Sequence, residues 1–277
     1  MKDLESNVLL TGATGGIGLQ TAALLATRGA NLLLTARDEK RLNRLRDTLR
    51  EFGSRVETVA ADLATTEGRQ RLVAAAHAFP GGIDVLVNNA GVNRFDLLDR
   101  QSDRDLEAVI NTNLLAPMLL TQKLLPLLRQ REKAIVLNVG SIVGSIGMPG
   151  QVAYCSSKFG MHGFSEALRR ELQGSAVKVL YVAPRSTDTD MNDSLMRAVN
   201  ELTGVRTDDS TAVARHIVHA ITNTKRERFI GWPERLFVKI NALLPGLVDR
   251  SLQKQARLLD RSTADNEPHA ISHGVKG

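Results

Sequence analysis

Val8-Leu9-Leu10-Thr11-Gly12-Ala13-Thr14-Gly15-Gly16-Ile17-Gly18 holds the most telling transition in the chain. An apolar run that reads as a buried strand ends in a cluster of glycines, and a helical pattern begins at once. Such a turn is tight, and it lets backbone N–H groups approach a pyrophosphate at the positive end of the helix. Gly12, Thr14, Gly15, Gly16, Ile17 and Gly18 are therefore candidate cofactor-binding residues. Their spacing departs from the G-x-G-x-x-G fingerprint, so the weight rests on the strand before and the helix after.

Outward from this turn the alternation repeats. Strands are expected at 7–11, 31–35, 55–60, 85–88, 134–139, 177–182 and 228–230. Helices are expected near 16–28, 38–52, 66–78, 103–130, 152–173 and 208–223. Several strands are near-continuous apolar runs, as in a parallel sheet buried on both faces. The expectation is an α/β chain: a Rossmann-type doubly wound parallel sheet with helices on both faces, plus a C-terminal helical extension. Residues 1–233 would form the dinucleotide-binding catalytic domain, and 234–277 an amphipathic extension with a mobile tail from Ser262. Gly29 and Gly53 are placed to end helices, and Asp38 to cap one.

Composition narrows the classes. With 277 residues, 43% of them hydrophobic, the chain can bury a sizeable core. A formal charge of +6 suits a surface that attracts a phosphorylated cofactor. Acids are interleaved with the bases, so nucleic-acid binding is not expected. Cys155 is the only cysteine, so no intrachain disulfide is expected and a reducing compartment fits. The N-terminal residues lack an apolar signal core, and the apolar stretch 114–128 is broken by Pro117, Gln122, Lys123 and Pro126. A cytoplasmic location without a membrane span is the expectation, and no metal site is foreseen.

The second strand ends in Thr35-Ala36-Arg37-Asp38. A dinucleotide fold that selects NAD usually places an acid there for the ribose 2′-hydroxyl, whereas Arg37 offers a fork for a 2′-phosphate. Asp38 is the rival ribose ligand, but it stands directly before a helix and reads as its cap. NADP(H) is the expected cofactor.

The glycine turn, Asn88-Asn89-Ala90-Gly91, Ser141 and Tyr154-Cys155-Ser156-Ser157-Lys158 together resemble the classical short-chain dehydrogenase/reductases. Ser141 stands thirteen residues before Tyr154, the usual spacing of that family, and the resemblance covers about residues 7–231. It implies a catalytic set of Ser141, Tyr154, Lys158 and Asn113, the last positioning a water, with Asn111 as its rival. On a helix, Tyr154 and Lys158 share a face. A neighbouring ammonium would bring a phenol, ordinarily near pKa 10, toward the working range. Ser141 can donate to the substrate oxygen as negative charge develops.

By the same resemblance Lys158 also holds the nicotinamide ribose. Asp62 and Leu63 meet the adenine, unless Asp62 only caps the helix that follows. Asn88 ties strands together, and Asn89, Ala90 and Gly91 pass close to the cofactor. Pro184, Thr187 and Thr189 complete the cofactor-binding set. Cys155 reads as a packing residue. Homodimers or homotetramers are implied, built through the helices near 103–130 and 152–173.

Two departures from the family pattern bear on substrate. Pro184-Arg185 replaces the usual Pro-Gly; Arg185 would crowd the cofactor, reach an anionic substrate group or point to solvent. Residues 186–205 would form a substrate lid, with Met191, Leu195, Met196 and Val199 at helical spacing. The second departure is the extension, where apolar residues at helical spacing alternate with bases. Three readings stand: peripheral contact with an anionic membrane through 234–261, a clasp on an acyl chain, or packing against its own core or a second subunit.

The sequence thus points to reduction of a ketone to a secondary alcohol, or the reverse, on a lipophilic 3-oxoacyl thioester. Steroids, polyketides and small alcohols are the alternative substrates. A non-catalytic nucleotide-sensing or membrane-docked binding protein is the rival of another class. The resemblance to 3-oxoacyl carrier-protein reductases fades near the carrier site. There Arg131 could meet an acidic carrier, but Ser175 stands where those enzymes often have a second arginine.

Overall fold

The computed structural model describes residues 4–264. Strands β1 (Asn7–Thr11), β2 (Asn31–Ala36) and β3 (Val56–Ala60) step outward to one edge of a sheet. The chain then crosses back beside β1 to lay down β4 (Val85–Asn88), β5 (Ala134–Val139), β6 (Val177–Ala183) and β7 (Glu227–Phe229). The order is β3-β2-β1-β4-β5-β6-β7, and every pairing is parallel. Because the winding reverses between β1 and β4, a crevice opens at the carboxyl ends of those strands, where α/β sheets bind ligands.

The helices are α1 (Gly16–Thr27), α2 (Glu39–Arg50), α3 (Thr66–Ala78), α4 (Asp103–Ile110), α5 (Ala116–Leu128), α6 (Val152–Glu171), α7 (Ser194–Thr203), α8 (Ser210–Asn223), α9 (Glu234–Leu243) and α10 (Pro245–Ala264). The alternation of side chains along each strand explains the two layers. Val8, Leu10, Leu32 and Leu34 pack with α1, α2 and α8, while Leu9, Leu33 and Leu86 pack with α3, α5 and α6. Each leucine so buried stabilises the fold by about 1.5–3 kcal/mol. Gly29 and Gly53 follow their helices at φ +91° and +77°, a region where only glycine is unstrained. Asp38 accepts a hydrogen bond from Arg41 N at 3.0 Å and caps α2. Thr65, not Asp62, caps α3.

One expected element is interrupted. Instead of a single helix near 103–130, α4 and α5 are joined by a π-turn at Asn111–Leu115. Pro117 has no N–H to close an α-helical bond on the carbonyl of Asn113, so the wider turn takes its place.

The extension lies on its own catalytic body. Val248 packs with Ile142 and Ile146, and Leu259 with Phe95, Met196 and Val199. Asn241 donates to the carbonyl of Ser145 at 2.9 Å. Pro245 opens α10, a position its fixed φ suits. Ser262 to Ala264 continue that helix; the rest of the tail, expected to be mobile, lies outside the described residues. Among the described residues no helix is long and apolar enough to cross a membrane.

Candidate active site

The crevice is a cleft of about 1290 Å³. At one end the glycine turn meets the start of α1, which no side chain caps and whose first turn carries no acid. The leading N–H groups of that helix are thus available to an anion. Gly12 sits at φ +66°, and a Cβ there would come 2.8 Å from Ala90 Cα. At Gly16 a Cβ would come 2.8 Å from the methyl of Thr189, and at Gly18 it would strike the Gly12 carbonyl. Gly15, by contrast, would meet only the Gly12 carbonyl at 3.5 Å, so the turn is closely packed except where it opens into the cleft. Thr14, Ile17, Ala90 and Gly91 line the cleft as well. Asn89 also lines it, but its amide is spent on the carbonyls of Thr11 and Gly12. Asn88 bonds Asn138 at 2.8 Å and ties β4 to β5.

Arg37, Asp62 and Leu63 stand at the same end of the cleft. Arg37 is exposed there and has no ion-pair partner among the described residues. Arg41 reaches across to the carbonyl of Thr14 at 3.0 Å, with Asp190 at 3.8 Å. Sequence reasoning passed over Arg41; its signal was its place one helical turn after Arg37, on the face that Asp38 starts. The α1 N-terminus and two cations fit a dinucleotide carrying an extra phosphate.

At the other end, Ser141, Tyr154 and Lys158 converge. Ser141 follows β5, where its hydroxyl accepts from Val143 N at 3.3 Å and lies 3.4 Å from the Pro184 carbonyl. It also hydrogen-bonds the Tyr154 hydroxyl. Lys158 stands one turn after Tyr154 on α6, with Nζ 5.6 Å from the tyrosine ring centroid and donating to the Val139 carbonyl at 3.0 Å. Lys158 is only 5% exposed, and burial lowers its pKa to about 8. Burial pushes the Tyr154 hydroxyl well above the usual phenol range, with the bond to Ser141 pulling the other way. The expected depression by the lysine is not what governs Tyr154 here. Loss of water around the phenolate outweighs an ammonium that is turned toward Val139.

Asn113, expected among the catalytic residues, lies behind the cleft wall rather than on it. Its amide donates to the Val92 carbonyl at 2.8 Å and to Ser157 Oγ at 3.1 Å, and its oxygen accepts from Val92 N at 2.8 Å. Gly91 separates it from the cleft; a Cβ there would meet Asn113 Oδ1 at 3.3 Å and Lys158 Nζ at 3.8 Å.

Arg185 lines the cleft and does not point to solvent; its side chain is 17% exposed. Its guanidinium bonds Asp208 at 2.6 Å and Glu234 at 3.2 Å, joining the end of β6 to the starts of α8 and α9. Two carboxylates in reach hold it by charge-assisted hydrogen bonds. Thr187 lines the cleft with its hydroxyl on the Arg185 carbonyl, and Pro184 and Thr189 line it too. The lid closes over the glycine turn through Thr189 and over Phe95 through Met196 and Val199. The extension and the residues just before it join this wall. Trp232, Phe237, Val248, Leu252 and Gln255 form part of the cleft wall. Arg131, expected to meet a carrier, pairs with Asp84 at 2.7 Å, at the amino end of the sheet and away from this cleft.

A family model described as short chain dehydrogenase matches residues 6–200. The chain belongs to the short-chain dehydrogenase family. It is therefore an oxidoreductase acting between CH–OH and carbonyl groups. A 3-oxoacyl-[acyl-carrier-protein] reductase of Vibrio cholerae is 36% identical over 194 residues, covering 70% of this chain and 78% of the relative. A ketoacyl reductase of Nostoc is 31% identical over 250 residues, covering 88% of this chain and 86% of its own length. The alignment to this second dehydrogenase is thus long enough to enter the extension. Among solved structures, a short-chain dehydrogenase from Sphingobium yanoikuyae in complex with NADPH is 27% identical, with a TM-score of 0.76 over 88% of this chain and 95% of that one.

Proposed function

We propose that this dehydrogenase uses NADP(H) to reduce a ketone on a lipophilic substrate, with 3-oxoacyl thioesters as the favoured class. The observation that carries the reaction is the convergence of Ser141, Tyr154 and Lys158 on one end of the cleft. A phenol whose pKa lies above its ordinary value holds its proton at neutral pH. Such a group can give that proton to an alkoxide, a far stronger base, as a ketone is reduced, and take it back when the alcohol is oxidised. Bound in the cleft, the nicotinamide supplies or accepts the hydride. Ser141 donates to the carbonyl oxygen as it gains charge, and Lys158 would hold the ribose. The water-positioning role of Asn113 falls to its backbone carbonyl, because its side chain is engaged with Val92 and Ser157 and Pro117 leaves that carbonyl without its helical donor.

The substrate class is supported by the names of the relatives and by the apolar wall of Ile142, Ile146, Met148, Phe237, Val248 and Leu252. Initial rates with NADPH and NADH across a panel of ketones test both choices; a chain that turns over none of the 3-oxoacyl thioesters has another substrate. For the cofactor, Arg37→Ala should cost about thirtyfold in kcat/KM with NADPH and leave NADH within twofold, since a charge-assisted contact is worth about 2 kcal/mol. Equal losses with both cofactors would remove Arg37 from the 2′-phosphate.

Exposed apolar side chains suggest partners in two places. Leu115, Met118, Val152 and Phe159, on and beside α5 and α6, suit a second copy of the chain. The elbow between α9 and α10 exposes Leu243 and Leu247 by 79% and 53%, with Arg235, Lys239 and Arg250 nearby. We assign this elbow to an anionic bilayer surface, because a two-fold self-contact would set like charges together. Sedimentation with and without anionic vesicles should pellet the wild type and leave a Leu243→Asp, Leu247→Asp variant in solution as the same oligomer. A variant that falls apart into monomers would assign the elbow to the subunit interface instead.

A further inference from the structure

The inward face of α10 reads Val248, Leu252, Gln255, Leu259: apolar side chains with one amide among them. Val248 and Leu252 pack beside Ile142 and Ile146, the turn that follows Ser141. Leu259 closes on Phe95, Met196 and Val199, and a Cβ at Gly150 would meet it at 2.8 Å. Gln255 is therefore held between two apolar clusters, one fastened to the Ser141 turn and one to the lid. It is 5% exposed and lines the cleft. Its amide makes no hydrogen bond with any described residue. A primary amide offers two donors and two acceptors, and those of Gln255 are not sealed in the core but open to the cleft. The cleft is the direction left to it.

We propose that Gln255 is a specificity-determining residue that binds a second, neutral oxygen on the substrate, separate from the ketone being reduced. Neutrality follows from the amide itself, which carries no charge to balance an anion. Of the other α10 residues on the cleft, Val248 and Leu252 are apolar and Ser251 spends its hydroxyl on the Val248 carbonyl, so the remainder of the ligand near α10 is hydrocarbon. A 3-oxoacyl thioester has this distribution: a ketone for Ser141 and Tyr154, a neutral carbonyl next along the chain and an acyl tail. This inference rests on the proposed reading of the site as a ketone reductase but does not require the thioester. Residue 255 lies outside the 6–200 span that matches the family model, so the contact belongs to this chain's extension rather than to the shared core.

The test compares ketones in pairs of equal chain length, one member with a neutral oxygen next along the chain and one without. Suitable pairs are a 3-oxoacyl N-acetylcysteamine thioester, a 3-oxo ester and a 1,3-diketone, each against the simple methyl ketone. Full-length wild type, Gln255→Leu and Gln255→Met are assayed with NADPH. Both substitutions should lower kcat/KM for the two-oxygen members about tenfold to hundredfold, mainly through KM, and leave the simple ketones within about twofold. They should hold the melting temperature, because an amide with no hydrogen bond to the described residues is replaced by hydrocarbon; a purely structural glutamine would lower it. Equal losses on both members of each pair, or no loss, overturn the proposal. If selectivity appears with esters and diketones while thioesters are not turned over, the thioester reading fails and the role of Gln255 stands. If thioesters are good substrates and the variants are indifferent to the second oxygen, the reverse holds. Should no pair turn over, calorimetric binding of the same pairs to the NADPH-loaded protein replaces the rates, with the same expected and overturning ratios.

Discussion

Replacing Tyr154 by phenylalanine should lower kcat about a thousandfold while NADPH binding and the melting temperature stay close to wild type. A positioned proton donor is worth about a hundredfold to ten-thousandfold, and the phenol is the group on this wall placed to give its proton between Ser141 and Lys158. The ring itself is kept, so the packing at the start of α6 is preserved. Fluorescence titration with NADPH, beside initial rates on a ketone that the wild type reduces, separates the two effects. A Tyr154→Phe protein with undiminished turnover would show that the proton comes from elsewhere. It would also restore the reading of the chain as a binding protein.

Lys158→Met carries the second large effect, and it should run in opposite directions for activity and stability. Turnover should fall at least a hundredfold, because the ammonium beside Tyr154 and the hold on the ribose proposed for it are both lost. Stability at pH 7 should rise. Lys158 falls from its ordinary pKa of 10.5 to about 8 on folding, so keeping it charged inside the fold costs about 3 kcal/mol below pH 8. The folded chain releases this proton more readily than the unfolded one, so the cost is relieved between pH 8 and 10.5 and is absent above that range. Methionine removes the cost at every pH, offset in part by the Val139 carbonyl, which loses its donor. Denaturant melts should therefore place the variant above wild type at pH 7, by about 1–2 kcal/mol, with the gap closing by pH 10. For the wild type, kcat/KM for reduction should be flat below pH 8 and fall above it as Lys158 becomes neutral. A variant less stable than wild type at pH 7 would mean that the charge is stabilised by something other than the groups seen around it.

The sheet was legible because its strands are apolar on both faces and bounded by glycines, and 7–11, 85–88 and 134–139 match at both ends. Tyr154 and Lys158 were legible because their spacing on one helix makes them neighbours whatever the rest of the chain does. What sequence reasoning missed depends on distant parts. Arg185 meets Asp208 and Glu234 from 23 and 49 residues away, and no local pattern announces such a meeting. The direction of the Tyr154 shift depends on how much water the surrounding walls exclude, and those walls include an extension whose destination no periodicity could specify. The π-turn at Asn111–Leu115 was hidden for another reason: its cause, Pro117, lies inside a stretch whose pattern reads as one helix near 103–130, and it widens a turn without ending the helix.

The Arg185 contacts have a mechanical meaning. Residues 186–207 run out after Arg185 and come back at Asp208, and those two side chains grip each other at 2.6 Å. The same guanidinium also catches Glu234, where the extension sets out. Flap and cover thus share one hasp. Neither can swing independently while it is shut, so admitting a ligand means either bending the flap within its own length or unlatching three segments together.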